Sequence, residues 1–452
     1  MSEVTVRDRA ALEALEDANL ALCATRSTEA TRRFPLPPEG RQFDYRPAFQ
    51  RDRDRALHSR AFRRLKHKTQ VYVPHTGDHP RTRLTHTLEV AQIARTMARA
   101  LGLNEDLTEA IALAHDLGHT PFGHSGEKTL ARILTGDEPS CPLPAAVTKK
   151  VGTFKHNYQS LRVVDLLERR YDHPGLNLSD QVREGILKHT SWKRTFPFPL
   201  ASSEGLRLGL PCHLEGQLVA LADEIAQQTH DLEDGLNAEA VSLADIEHLP
   251  AAKTVIERAG SRYTGERRSF RRAAMLQRGL IHLFVTDAVQ TAARNVRRVV
   301  DKHGIVDHTG WLQVADEISA TTVTFSRKVG EIFTDLKAFV YRFIINHQEV
   351  NRQDHRARLV MAGLFRAYYD NPLLLPTYAL LRFHEETGRP YLRDVLIPQI
   401  PAEVAQHYRP EPRFVRLVID HLAGMSDRFA LDEFAALYHP TGAPPSTSAG
   451  RV

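Results

Sequence analysis

Along most of the chain apolar residues recur every three or four positions, the period of an amphipathic helix, and the two-residue alternation of a half-buried strand is hard to find. Over residues 81–101, Leu84, Leu88, Ala91, Ala94, Met97, Ala98 and Leu101 trace one such stripe, which Gly102 ends. Residues 107–117 repeat the pattern, and Gly118 with Pro121 supplies the stop, because proline disfavours a helical residue before it. His115 and Asp116 are thereby placed near a helix C-terminus. Further helices are expected at 1–22, 50–66, 125–134, 157–170, 179–189, 213–234, 270–303, 312–347, 355–370, 373–386, 390–399 and 411–424. The fold class this predicts is all-α. Breaks fall at 31–47, 135–144, 196–211 and 439–452. The last is rich in Pro, Gly, Ser and Thr and too poor in apolar residues to offset its ordering entropy, so a disordered tail is expected there. No internal linker is long enough to force a boundary, and 1–452 reads as a single large helical unit.

Charge adds something only through its distribution. A formal net charge of +5 on 452 residues is small, yet residues 41–70 carry ten Lys/Arg against three Asp/Glu, and residues 258–302 eleven against three. Such clusters suit a polyanion, nucleotide or nucleic acid, or else form a solvated basic face. The first twenty residues interleave acids, bases and apolar positions, which is not the pattern of a signal or transit peptide. No run of about 18 apolar residues occurs, so no membrane partner is expected. Cys23, Cys141 and Cys212 are odd in number, far apart and without a CxxC pair, which argues against a disulfide framework and a thiolate zinc site. The expected location is cytoplasmic.

Three segments carry the candidate chemistry: RLTHTLEV at 83–90, AHDLGHTPFGHSGE at 114–127 and LADEIAQQTHDLED at 221–234. Each sets His or Asp on or beside a helix. A first-row divalent ion accepts neutral imidazole and carboxylate in a mixed shell, and His86, His115, Asp116 and Asp223 offer two of each. Neighbours on a helix point about 100° apart; at a helix end, however, adjacent His115 and Asp116 can flank one ion. With 23 histidines in the chain, chance pairs are expected. The grouping of His115, Asp116, His119, His124 and Glu127 around Gly118, Pro121 and Gly123 is harder to assign to packing, since those glycines and the proline build an irregular turn that gathers polar groups.

The order His, then His-Asp, then a distant Asp resembles the HD superfamily, and its surroundings resemble the deoxyguanosine triphosphate triphosphohydrolases. The agreement extends to FQRDRDRALHSRAFRRLKHKTQV at 49–71, RTRLTHTLEVAQIAR at 81–95, FKHNYQSLRVV at 154–164, GLNLS and GILKHT within 175–190, and HDLEDGL at 230–236. The resemblance implies an HD catalytic core over 60–236, followed by a C-terminal helical region over 237–438. It implies His86, His115, Asp116 and Asp223 as ligands of Mn²⁺ or Mg²⁺, hydrolysis of a deoxynucleoside triphosphate, dGTP foremost, at the α-phosphorus, and release of intact triphosphate. It also implies a homohexamer and admits binding of single-stranded nucleic acid.

The residues make physical sense of that reaction. A divalent ion in this shell lowers the pKa of a water and polarises a phosphoryl oxygen. The 5′-oxygen of the sugar leaves poorly without a proton, and His124, with an ordinary pKa of about 6.5, is a suitable donor. Glu127 follows by three residues, the spacing at which it meets and orients that ring, and the resemblance assigns the same pair to catalysis. Arg83 lies one turn before His86 and is expected on phosphate, with Lys188, His119 and Asn157 as further contacts. The resemblance places Gln70 against the deoxyribose, and Asp231, eight residues after Asp223 on the same helical face, matches a further position of the substrate pocket. Gln227 departs from it: relatives commonly carry a tyrosine there that packs on the sugar and helps exclude a 2′-hydroxyl. Two other readings compete, an HD phosphohydrolase acting on monophosphates, cyclic or alarmone nucleotides, and a nucleic-acid-binding protein with a regulatory HD site.

Overall fold

The structure, a computed structural model, describes residues 6–36, 45–70, 81–190 and 203–439; residues 440–452 of the tail expected to be disordered and parts of the expected breaks at 31–47 and 196–211 lie outside these. Among the described residues there is no strand, only two isolated bridges, and the chain is all-α. Helices α1 (Arg9–Asn19), α2 (Ala48–Leu57), α3 (Arg60–Arg64), α4 (Arg83–Leu101), α5 (Glu105–Ala114), α6 (Gly123–Thr135), α7 (Ala145–Val151), α8 (His156–Arg162), α9 (Asp180–Lys188) and α10 (Leu214–Asn237) build the part that holds the candidate chemistry. They are followed by α11 (Leu243–Glu247), α12 (Pro250–Ala259), α13 (Ser261–Thr264), α14 (Ser269–His303), α15 (His308–Val314), α16 (Arg327–Val340), α17 (Gln348–Asp370), α18 (Thr377–Thr387), α19 (Ile400–Glu403), α20 (Pro412–Ala423) and α21 (Asp427–Tyr438).

Local chemistry sets the ends of the helices that matter most. Thr82 caps α4 by accepting from Thr85 N in a reciprocal capping box, and the Asn104 side chain caps α5 by accepting from Leu107 N at 3.0 Å. Helices α4, α5, α9 and α10 share one apolar cluster in which Val90, Met97, Leu107, Ile111, Ile186, Leu218 and Ala222 are fully buried. Helices α5 and α9 approach closely because residue 185 is glycine: a Cβ there would meet Ile111 Cδ1 at 2.5 Å. A second cluster joins Leu130 and Ile133 of α6 to Met361 and Phe365 of α17 and Phe414 of α20. A third packs Ile225 and Leu232 of α10 against Val255, Phe284 and Phe333.

Several expected boundaries are corrected. The helix expected over 312–347 is broken: α15 stops at Val314, α16 starts at Arg327, and Thr322 Oγ1 donates to Ser319 O at 2.9 Å within the intervening Ser/Thr-rich stretch. Side chains of that kind offer the backbone partners that compete with a helix. Residues 390–399 form turns and one 3₁₀ turn, with Pro390 and Pro398 at their two ends. The expected helix 50–66 breaks at Ser59, whose side chain caps α3. Six helices were not anticipated, α7, α11, α12, α13, α19 and α21, and the last proves relevant to the site. Leu88, counted above in the apolar stripe of α4, is exposed, while Arg83, His86 and Thr87 on the same helix are buried.

Candidate active site

The irregular turn after α5 is held by its neighbours. Gly118 N donates to Ser160 Oγ at 2.8 Å, and Ser160 Oγ donates to His115 O at 2.6 Å, so one hydroxyl clamps both sides of the turn to α8. The backbones lie so close that a Cβ on residue 118 would sit 2.1 Å from Ser160 N. Phe122 takes a left-handed φ of 60°, unusual for a bulky residue. Asp427, the first residue of α21, secures that conformation: its Oδ1 accepts from Phe122 N at 2.9 Å and its Oδ2 from Thr69 N at 2.8 Å. Buried Lys68 completes the support by donating to His119 O and to Ala423 O. Gly118→Ala is therefore expected to push α8 away from the turn and destabilise the fold by about 1–3 kcal/mol, the usual cost of overpacking. Chemical denaturation of both proteins measures it, and an unchanged midpoint and slope would refute the tight contact.

Into this frame α4, the end of α5, and α10 send His86, Asp116 and Asp223 around the ring of His115. His86 Nε2 lies 2.9 Å from Asp223 Oδ1, His115 Nε2 lies 3.6 Å from the same oxygen and 3.3 Å from Asp116 Oδ1. The ligand atoms of His86, His115 and Asp223 all fall within 4.8 Å of one another, as do those of His115, Asp116 and His189 and those of Asp116, His119 and His156. His115 Nδ1 faces Ala112 O at 2.6 Å, which places a proton on Nδ1, and buried Nε2 has no hydrogen-bond partner. Burial disfavours a charged ring here, but Asp116 and Asp223 overcome it and push His115 up to about 9. For the carboxyls burial works the other way: it opposes their ionisation, yet His115 and His119 hold Asp116, and His115 and His86 hold Asp223, well below the usual carboxylate range. The gap between these atoms is thus a place for positive charge, and its nitrogen and oxygen donors fit a first-row divalent cation.

The surrounding residues sort differently from the sequence expectation. Arg83 is buried, donates from one terminal nitrogen to Asp116 Oδ2 at 2.9 Å, and keeps Nε and its other terminal nitrogen without partners. His119 Nε2 lies 3.2 Å from Asp116 Oδ1, and its ring stacks on His156 with centroids 3.9 Å apart. Burial and Arg83 keep His119 neutral, well below the ordinary imidazole range. His124 is exposed to solvent, yet desolvation by the protein atoms gathered around it, with Arg83, pushes it down to about 4, not the ordinary value anticipated. Glu127 does not hydrogen-bond His124. Its Oε2 instead contacts His156 Nδ1 at 2.7 Å, because α8 brings that ring across the face of α6. His156 Nε2 in turn lies 3.2 Å from His189 Nε2.

Two expected phosphate contacts are placed otherwise. The ammonium of Lys188 donates to Glu184 Oε2 at 3.1 Å, Arg207 O at 2.8 Å and Leu210 O at 2.9 Å, which uses all three of its protons. Asn157 donates one amide proton to Leu187 O at 2.6 Å, and its atom without any partner is the acceptor Oδ1. In both segments the adjacent residue, His189 or His156, joins the cluster. Their signal was present: His189 continues the apolar stripe of Val182 and Ile186, an unusual position for a charged-type ring. Gln70 and Asp231 are buried, with Oε1 and Oδ1 respectively unpaired. Burial, with Asp234 nearby, raises the Asp231 carboxyl well above its ordinary value.

Fold and site together define an all-α protein of the HD class, and residues 83–227 match the HD domain family, with 323–396 matching the phosphohydrolase-associated domain. A deoxyguanosinetriphosphate triphosphohydrolase-like protein of Geobacter sulfurreducens is 39% identical over 95% of this chain and 97% of its own length. Proteins of the same description from Syntrophus aciditrophicus, 37% identical over 95% of the chain and 96% of the relative, and from Nitrobacter hamburgensis, 39% over 90% and 95%, are similar in extent. The chain belongs to this family of deoxyguanosinetriphosphate triphosphohydrolase-like proteins, and is a hydrolase of the HD phosphohydrolase class. No helix among the described residues is long and apolar enough to cross a membrane.

Proposed function

We propose that this protein hydrolyses deoxynucleoside triphosphates, dGTP foremost, at the α-phosphorus to deoxynucleoside and triphosphate, with Mn²⁺ or Mg²⁺ held by His86, His115, Asp116 and Asp223. The observation that carries this reading is the convergence of those donors around unpaired His115 Nε2. When bound there, a divalent cation supplies Lewis-acid charge and a water of lowered pKa. The chain's own groups supply the rest. Arg83 has buried N–H donors to spare for phosphate oxygens, a charge-assisted contact. Neutral His119 stands beside it with Nε2–H on Asp116, so its unpaired Nδ1 offers an acceptor to a water or to a protonated phosphate oxygen. His124, neutral when the site is empty of substrate, gains proton affinity as the triphosphate brings negative charge against it, and donates to the leaving 5′-oxygen. The contact of Glu127 with His156 supports a second version of this step, in which that pair supplies the proton. Gln70 and Asp231 present unpaired polar atoms for sugar hydroxyls. The protein acts as a homo-oligomer in the cytoplasm under this reading, and the basic stretch at 258–302 gives it a surface for single-stranded nucleic acid.

Incubating purified protein with each deoxynucleoside triphosphate and Mn²⁺ or Mg²⁺, then identifying products, tests the reaction. Triphosphate release is expected; monophosphate and pyrophosphate, or no turnover, would overturn it. Selectivity for the sugar rests on Gln227, half-buried on α10 between Asp223 and Asp231. Glutamine is smaller and more flexible than a tyrosine ring and can hydrogen-bond a 2′-hydroxyl. Gln227→Tyr is expected to raise the ratio of kcat/KM for dGTP over GTP about 10- to 200-fold, the range open to one pocket group. An unchanged ratio, or complete rejection of GTP by the native protein, would move the guard of the 2′ position to another residue.

A further inference from the structure

Behind His86 lies a chain of contacts that runs from the candidate metal centre to the surface. His86 Nδ1 meets His230 Nδ1 at 3.3 Å, with the two rings nearly perpendicular. His230 is buried, and its Nε2 lies 2.8 Å from Glu89 Oε2. Glu89 is half-exposed on α4, one turn beyond His86, and is held from the other side by Arg81 Nε at 3.2 Å.

Two Nδ1 atoms at hydrogen-bond distance share one proton, and which ring owns it decides what His86 offers at its other nitrogen. A carboxylate has no proton to give, so His230 turns a protonated Nε2 towards Glu89 and, as a neutral ring, presents a bare Nδ1. By the same rule His86 Nε2 donates to Asp223 Oδ1 at 2.9 Å while no cation is bound; a cation that takes Nε2 needs the ring's proton on Nδ1, where the bare Nδ1 of His230 is placed to accept it. From this geometry we infer that Glu89 and His230 are positioning residues: they orient the His86 ring and give its Nδ1–H an acceptor, which favours the tautomer that yields Nε2 to a cation. The inference rests on the metal-dependent reading above. Partners behind a ligating imidazole raise its basicity and commonly matter 10- to 100-fold for affinity.

The test is Mn²⁺ binding, followed by electron paramagnetic resonance of free Mn²⁺, in the full chain and three variants with thermal unfolding checked alongside. Asparagine at 230 keeps an acceptor near the place of Nδ1, whereas leucine fills space without one. His230→Leu is expected to weaken Mn²⁺ binding about 10- to 100-fold, His230→Asn to retain more affinity than His230→Leu, and Glu89→Gln to weaken binding without a change in unfolding temperature. A purely structural role predicts the reverse order at 230, because leucine packs better in a buried site than asparagine. Native affinity in both His230→Leu and Glu89→Gln, or weaker binding by His230→Asn than by His230→Leu, overturns the relay. Absence of Mn²⁺ binding by the unaltered protein overturns instead the metal-dependent function itself.

Discussion

Asp116→Ala is expected to lose both bound metal and phosphohydrolase activity, reducing turnover to background. One oxygen of this carboxylate stands 3.3 Å from His115 Nε2 and 3.2 Å from His119 Nε2, and the other accepts from Arg83 at 2.9 Å. Removing it takes a negative ligand from the proposed cation and also strands a buried guanidinium. The second effect alone costs about 3–5 kcal/mol, the usual result of breaking a buried ion pair from one side. Asp116→Asn separates the two, because its amide oxygen still accepts from Arg83 while the charge is gone. Metal content by mass spectrometry, thermal unfolding and turnover should therefore show Asp116→Ala unstable and inactive, and Asp116→Asn folded, metal-poor and inactive. Native metal occupancy and turnover in Asp116→Ala would sink the ligand assignment.

Replacing His124 by alanine should do the opposite to the metal. Its ring lies beside His119, with centroids 6.0 Å apart, and takes no part in the close contacts among His86, His115, Asp116 and Asp223. Metal content should therefore stay at the native level while kcat falls at least 100-fold, roughly the lower bound for removing a general acid. The structure adds a comparison that the spacing of residues did not suggest, since Glu127 is bonded to His156. His156→Ala should cost less than His124→Ala if His124 carries the proton to the leaving oxygen. A larger loss in His156→Ala assigns that proton to the Glu127–His156 pair, and loss of metal in His124→Ala makes His124 a ligand instead of the acid.

These outcomes turn on features of two physical kinds. The helices of the site were legible because their causes are local: a 3.6-residue apolar period, Gly102 at one end, and Gly118 with Pro121 at a stop act within a few residues of chain. Clustering of His115, Asp116, His119, His124 and Glu127 around that stop was legible for the same reason, and so was the resemblance to HD phosphohydrolases. Side-chain partnership was a different matter. Glu127 was expected on His124, three residues before it, but α8 supplied His156 from 29 positions away. Lys188 was expected on phosphate, but the loop after 203 offered it two carbonyl oxygens. The support of the turn by Asp427, 305 residues beyond Phe122, had no local trace at all. By itself the sequence determined that the chain is helical, where its polar residues gather and which family it belongs to. Which ring meets which carboxylate was decided only when α6, α8, α9, α10 and α21 packed together, because a hydrogen bond depends on distances between elements that local spacing does not set.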